Sequence, residues 1–214
     1  MRPLVVKLGG STAGHEEMQR WIDILATATF PLVIVPGGGP FADQVRISQK
    51  RLAYSNEAAH AMAILAMDQF GIAIAERHAR LRPARSIGDI HSVLDRGGMA
   101  AWLPSSMAIG APDIPCSWDV TSDSLSAWLC KQLRAEALLL IKQTDEHMDY
   151  ANVWDLAAAG IVDSMLPAML AEDTILHVAG PEALTKISRD LPLATIPGRM
   201  IMRHRQAVEG MVAQ

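Results

Sequence analysis

Pro3-Leu4-Val5-Val6-Lys7-Leu8-Gly9-Gly10-Ser11 and Leu32-Val33-Ile34-Val35-Pro36-Gly37-Gly38-Gly39-Pro40 are the two stretches that decide the fold class. Each is a short, continuous apolar run that stops at glycines. That is the pattern of a strand buried on both faces that delivers the chain into a loop. Between them, across His15 to Thr29, Met18, Trp21, Ile22 and Leu25 recur at spacings of three and four, one face of an amphipathic helix. Strand, glycine loop, helix, strand, glycine loop is how a parallel α/β sheet begins.

The alternation continues. Ser55 to about Arg80 reads as a long helix with Met62, Leu65, Ala66 and Gln69 on one face and one interruption at Gly71. Residues 82–100 read as a loop punctuated by Arg82-Pro83 and Gly97-Gly98, with a short helix inside it. Ala101 to Leu103 reads as a strand closed by Pro104. Thr121 to Leu133 is a helix with Leu125, Trp128, Leu129 and Leu133 on one face and Thr121 or Ser122 available as N-cap. Ala137 to Ile141 is a third buried strand; helices follow over Asp155–Ala159 and Ser164–Ala171, then a strand over Thr174–Val178, a helix over Pro181–Arg189 and a last strand over Met200–Met202. No spacer or charge block marks a boundary, so the expectation is one α/β domain over residues 1–214, with a mainly parallel sheet covered on both faces.

Of the 214 residues, 50% are hydrophobic and 20% charged, which excludes disorder and low-complexity scaffolds. The 19 Lys and Arg against 23 Asp and Glu leave a net charge of −4, and the pI is about 5.9, which argues against a nucleic-acid partner or an anionic membrane surface. The expected partner is a small molecule. No apolar run is read as approaching the ~20 residues that span a bilayer, and Met1-Arg2-Pro3 leads into a strand, so a cytoplasmic location and no membrane are expected. Cys116 and Cys130 read as reduced, and the 12 methionines read as core filling. No cluster of His, Cys and carboxylates suggests a bound transition metal, so no metal ligand is assigned.

Ligands in open α/β sheets sit beyond the carboxyl ends of the strands, where both glycine loops fall. In Lys7-Leu8-Gly9-Gly10-Ser11 a lysine at the strand end and two residues without Cβ let main-chain N–H groups close on phosphate oxygens beside a positive charge; a tight turn with a solvated lysine fits the same residues. The three successive glycines 37–39 strengthen the phosphate reading, because they cost roughly 0.5–1 kcal/mol each in a regular element. Neither loop is a P-loop or a Gly-x-Gly-x-x-Gly fingerprint. Ser117-Trp118-Asp119-Val120-Thr121-Ser122-Asp123-Ser124 opens a helix with two acids and a run of hydroxyls. Capping accounts for Thr121 or Ser122, whereas Asp123 is also suited to orienting lysines through charge-assisted hydrogen bonds. Asp43 and Arg46, just past the triple glycine, are candidates for contacts with a cationic group and a phosphate of a ligand respectively, and His60 reads as a packed or surface histidine.

Taken in order, Lys7-Leu8-Gly9-Gly10-Ser11, Val35-Pro36-Gly37-Gly38-Gly39-Pro40 and Asp119-Val120-Thr121-Ser122-Asp123-Ser124 resemble the amino acid kinase superfamily along the whole chain. Within it, Val35 to Asp43, the helix from Ala59-His60 to Asp68-Gln69 and Trp118 to Ser124 look most like the kinases of 5-(aminomethyl)-3-furanmethanol phosphate in methanofuran biosynthesis. The resemblance implies a three-layer αβα sandwich, ATP with Mg²⁺ on the carboxy-terminal half, a phosphate monoester acceptor on the amino-terminal half, a diphosphate product and a homo-oligomer. Carried over, Lys7 holds the transferring phosphoryl group and Asp123 orients the catalytic lysines. Gly9, Gly10 and Ser11 take the ATP phosphates, with Lys142 and Asp145 on the strand end that faces the nucleotide. Gly37, Gly38 and Gly39, with Asp43, Arg46, Asp119, Thr121 and Ser122, fall on the acceptor side. Three departures stand out: Glu146 replaces a usual glycine, the stretch Gly160 to Pro167 lacks the second lysine of many relatives, leaving Lys142 as the substitute, and no Gly-Thr signature appears at Gly198-Arg199-Met200. Isopentenyl phosphate, a nucleoside monophosphate and an amino acid are the alternative acceptors, and a non-catalytic nucleotide- or oxyanion-binding module is the alternative class.

Overall fold

The computed structural model describes residues 2–188 and 191–203. A seven-stranded sheet runs through them in the order β3-β4-β2-β1-β5-β6-β7, where β1 is Leu4–Leu8, β2 Leu32–Pro36, β3 Leu81–Ala84, β4 Met99–Trp102, β5 Ala137–Ile141, β6 Ile175–Ala179 and β7 Arg199–Ile201. Every pairing is parallel except β6 with β7. All five residues of β1, of β2 and of β5 are buried, which is why their side chains read as unbroken apolar runs.

Helices cover both faces. On one, α1 (Glu16–Ala26) and α9 (Pro181–Lys186) pack on Leu4, Val6, Leu8, Ile34 and Leu139. On the other, α4 (Ile87–Asp95), α5 (Ser105–Ala108), α6 (Ser122–Leu133), α7 (Val153–Ala158) and α8 (Leu166–Met169) belong to the layer built on Val5, Val33, Leu138, Leu140 and Val178. Alternate residues of each strand thus serve opposite layers, giving the α/β, three-layer αβα sandwich with a mainly parallel sheet. Met18, Trp21, Ile22 and Leu25 of α1 and Leu125, Trp128, Leu129 and Leu133 of α6 are all buried, as their spacing requires.

The structure corrects the sequence reading in several places. β3 stands in the stretch read mainly as a loop: it is a short edge strand whose ends are buried and whose middle is exposed, and the edge tolerates Pro83, which lacks an N–H. α2 (Gly39–Leu52) begins inside the triple glycine and went unread, because among its residues only Gly39 is fully buried and no core stripe exists to reveal it. In α3 (Asn56–Ala75), capped by the Ser55 hydroxyl that accepts from the Ala58 N–H, the core side chains are Ile64, Met67, Phe70 and Ile74; Leu65, on the face read from the sequence, is 46% exposed. α3 serves both core layers and is apolar nearly all round, so its 20 residues are long and apolar enough to cross a bilayer by length and composition; half of that apolar window is buried inside this fold. Arg189, read as the end of α9, lies outside the described residues.

Candidate active site

The parallel register brings three strand ends level: Lys7 of β1 stands opposite Val35 of β2 and Leu140 of β5, and Leu8 opposite Pro36 and Ile141. The loops after β1 and β2 then interlock backbone to backbone. A Cβ on Gly10 would collide with the Gly39 amide nitrogen, and one on Gly37 would collide with the Gly10 nitrogen. Gly39, at φ 54°, starts α2 in the left-handed region. The main chains of both loops therefore meet beside a helix start, whose first-turn N–H groups have no partner within the helix.

Asp123, in the first turn of α6, is the centre of the site. Its carboxylate lies 3.0 Å from Lys7 Nζ through Oδ1 and 2.6 Å from Lys142 Nζ through Oδ2, and all three side chains are close to fully buried. Burial alone would raise the Asp123 pKa, but the ammonium groups of Lys142 and Lys7 outweigh it and hold the carboxyl well below the usual carboxylate range. Burial pulls the Lys142 pKa down and Lys7 adds to this, while Asp123 partly offsets both. Lys7 on β1 and Lys142 just past β5 stand on adjacent strands whose flanking helices leave on opposite faces, α1 on one and α7 on the other. This is the point in a doubly wound sheet where a crevice opens. Two ammonium groups thus share one buried carboxylate at the strand ends.

Asp163, which the sequence reading missed, fixes this geometry. Its Oδ2 accepts from the Thr121 N–H at 2.8 Å and the Ser124 N–H at 3.0 Å, its Oδ1 accepts from the Thr121 hydroxyl at 2.7 Å, and its own N–H donates to Asp123 Oδ2 at 3.3 Å. The cap of α6 is thus an acid forty residues downstream, not the Thr121 or Ser122 side chain. Burial first, and then the neighbouring Asp123, raise the Asp163 pKa. No local pattern could reveal this, since an N-cap is sought within a few residues of the helix.

Two cavities lie near the carboxyl ends of the strands, and Lys7, Asp123 and Lys142 line neither of them. One, of about 210 Å³, is lined by Gly10, Gly38 and Gly39, by Ala42, Asp43 and Arg46 of α2, by His60, Ala63, Ile64 and Met67 of α3, and by Trp118, Val120, Thr121, Ser122 and Leu125. Of the residues read as acceptor-facing, it brings together Gly38, Gly39, Asp43, Arg46, Thr121 and Ser122. Gly37 is taken up in the contact between loops, and Asp119 is exposed and turned to the Ser164 hydroxyl at 3.2 Å. Gly9 caps the turn Gly10–Thr12, its carbonyl accepting from Thr12; the Ser11 hydroxyl lies outside what the structure describes. The other cavity, of about 320 Å³, lies past β5 and β6 and is lined by Asp145, His147, Met148, Glu182, Lys186, Gly198 and Arg199 among others. There Asp145 caps α9, accepting from the Glu182 N–H at 3.0 Å.

The sequence profile of the amino acid kinase family matches residues 2–149. The chain belongs to the amino acid kinase family. Among its relatives, the [5-(aminomethyl)furan-3-yl]methyl phosphate kinase of Methanocaldococcus jannaschii is 29% identical over 179 residues, covering 78% of this chain and 82% of that one. The fold matches the uridylate kinase of Archaeoglobus fulgidus at a TM-score of 0.64 and 15% identity, over 94% of this chain and all of that one. It also matches the UMP kinase of Ureaplasma parvum at 0.59 and 15% identity, over 85% and 90% of the two chains. The stretch Gly160 to Pro167 contains no lysine, and the second ammonium on Asp123 comes from Lys142.

Proposed function

We propose that this amino acid kinase transfers the γ-phosphoryl group of ATP to a small phosphate monoester, forming a diphosphate, and that the acceptor is 5-(aminomethyl)-3-furanmethanol phosphate, in methanofuran biosynthesis. The observation that carries the reading is Asp123 gripping Lys7 and Lys142 at the carboxyl ends of β1 and β5. The name of the Methanocaldococcus relative supports the acceptor. In this reading residues 1–214 form one domain, with the acceptor in the cavity of about 210 Å³ on the amino-terminal half and ATP on the side of the cavity of about 320 Å³.

Phosphoryl transfer needs alignment and neutralised oxygens more than covalent help. Lys7 and Lys142 act on the charge of the transferring group from either side of Asp123, and the backbone of Gly9, Gly10 and Gly39 supplies N–H groups to the phosphates. A phosphate monoester has its second pKa near ~6, so the attacking oxygen is already ionised and no general base is required. Among the described residues no three His, Cys, Asp or Glu side chains converge on a metal position, so Mg²⁺ fits as part of the MgATP substrate, held by the phosphates. Both cysteines are unpaired, which supports the cytoplasm as the compartment. α3 leaves Leu65 at 46% and Ile72 at 47% exposure one heptad apart on one face, which supports a homo-oligomer.

The test is coupled ADP release with MgATP and a panel comprising the furan phosphate, isopentenyl phosphate and UMP. Turnover is expected with the furan phosphate and should fall at least about a thousandfold in Lys7→Met and in Lys142→Met, each losing one cation at the transferring group. Bound ATP without ADP release from any acceptor would make the chain a binding module instead.

A further inference from the structure

The strand ends remote from Lys7 hold a further cavity, and its charge runs against that of the molecule. The helices that cover a parallel sheet return to the amino ends of its strands, so α1, α4 and α6 finish on this side, their last carbonyls unpaired within the helix. A cavity of about 750 Å³ opens among them, lined by Arg2, Arg80, His91, Asp95 and Arg134 and, as its apolar part, by Pro3, Phe30 and Pro31. A neighbouring groove shares Arg80, Gly97 and Gly98 with it and adds Arg82 and Arg96. Arg2, Arg80, Arg82, Arg96 and Arg134 therefore share one side of a chain whose net charge is −4.

Among the described residues little cancels that charge. Arg80 donates to the Ala26 carbonyl at the end of α1 and to the Gly97 carbonyl past α4, the latter at 2.9 Å, and Arg82 donates to the Ala79 and Leu81 carbonyls at 2.7 Å. Carbonyls at helix ends hold a guanidinium in place and offset only part of its charge. Arg2 has a carboxylate partner, Asp173 at 2.6 Å. The exposed side chains of Arg96 and Arg134 have no partner among the described residues, and Asp95 is the one acid in either lining.

Arg134 also stands out by its backbone. It closes α6 at φ 48°, in the left-handed region where a helix ordinarily ends on glycine. A residue with a Cβ is strained there. Glycine would close α6 with less strain, so what the arginine adds is an unpaired guanidinium in the cavity wall rather than a better helix end.

We propose that this cavity binds a small polyanion, a compound with two or more phosphate or carboxylate groups, and that Arg134 is its principal contact, in the positive field of Arg2 and Arg80. The planar guanidinium fork matches either oxyanion with two parallel hydrogen bonds, and the cavity has the volume of a small-molecule site. Pro3 lies about 13 Å along β1 from Lys7, so the occupant is an effector and not a reactant, whichever acceptor the kinase uses.

Tripolyphosphate and citrate are the probes, titrated calorimetrically at constant ionic strength into wild type, Arg134→Gly and Arg134→Lys. Wild type should bind at least one of them saturably, and the one that binds assigns the oxyanion as phosphate or carboxylate. Arg134→Gly should weaken that binding at least about 10-fold, and Arg134→Lys, which keeps the charge without the fork, should fall between the two. The glycine variant should melt no lower than wild type, because it relieves the left-handed strain, so its lost binding cannot be lost folding. Binding of neither probe by wild type overturns the proposal. An affinity unchanged in Arg134→Gly would place the anion elsewhere, at the glycine loops first of all, and overturns it too. So does a glycine variant that melts lower, since the arginine would then serve the fold.

Discussion

Asp123 sits 4% exposed between two ammonium groups, so any change at this one residue leaves buried charge without its counterion. Asp123→Asn should therefore cost about 3–5 kcal/mol at pH 7, measured by urea unfolding, besides abolishing turnover. The pH dependence follows from the direction of the shift. The folded pKa is depressed below the ordinary ~3.9, so in acid the unfolded chain takes up a proton that the folded one refuses. The stabilisation is complete above about pH 5 and is lost as the pH falls through 4 towards the folded pKa. Asp163, whose folded pKa is raised, contributes a slope of opposite sign, so the quantity to compare is the loss of stability between pH 7 and pH 3 in wild type and in Asp123→Asn. The loss should be larger in wild type; equal losses would mean that Asp123 titrates normally.

At the scale of elements, the site depends on two loops that touch through backbone and on a helix capped from a distance. Gly37→Ala places a methyl group against the Gly10 nitrogen and should push the loops apart. The expected result is a drop of at least about 100-fold in kcat/KM with a fold still cooperative by thermal melting, since small misplacements around a reacting phosphate are costly. A Gly37→Ala enzyme of normal activity would show that the loops need not abut. Asp163→Ala removes the partner of the Thr121 and Ser124 amides at the start of α6 and of the Thr121 hydroxyl; it should lower stability by about 2 kcal/mol and loosen Asp123, seen as a lower kcat. The same reasoning explains why sequence pattern located α1 and α6 and passed over α2. A core stripe announces a helix, and α2 buries only Gly39 fully.

For the whole molecule, the strand order sets the division of labour. β1 lies in the interior of the sheet with β2 on one side and β5 on the other, so the acceptor-side loop and the Lys142 side meet at Lys7 and nowhere else along the sheet. The outward face of α3 is the part of the surface with an assembly prediction. If Leu65 and Ile72 pack against a second copy, the double variant Leu65→Glu, Ile72→Glu should shift the mass in light scattering from oligomer to monomer while the far-ultraviolet circular dichroism stays unchanged. A monomeric wild-type protein would remove the oligomer from the proposal.

The sequence by itself determined the buried strands β1, β2 and β5, the glycine loops that follow the first two and the layer order of the sandwich. Those features are written in contiguous residues: a strand buried on both faces is an apolar run, and a loop that must approach another backbone is glycine. It also brought Lys7 and Asp123 forward as candidates from short motifs at strand and helix ends, and Lys142 through the resemblance to the family. Only the tertiary structure decided that one carboxylate holds both lysines, that Asp163 caps α6, and that Gly37 and Asp119 lie off the cavity. Each of these is a relation between side chains far apart along the chain. Periodicity carries no record of such pairs, because it reports which face of an element is buried and not what lies against it.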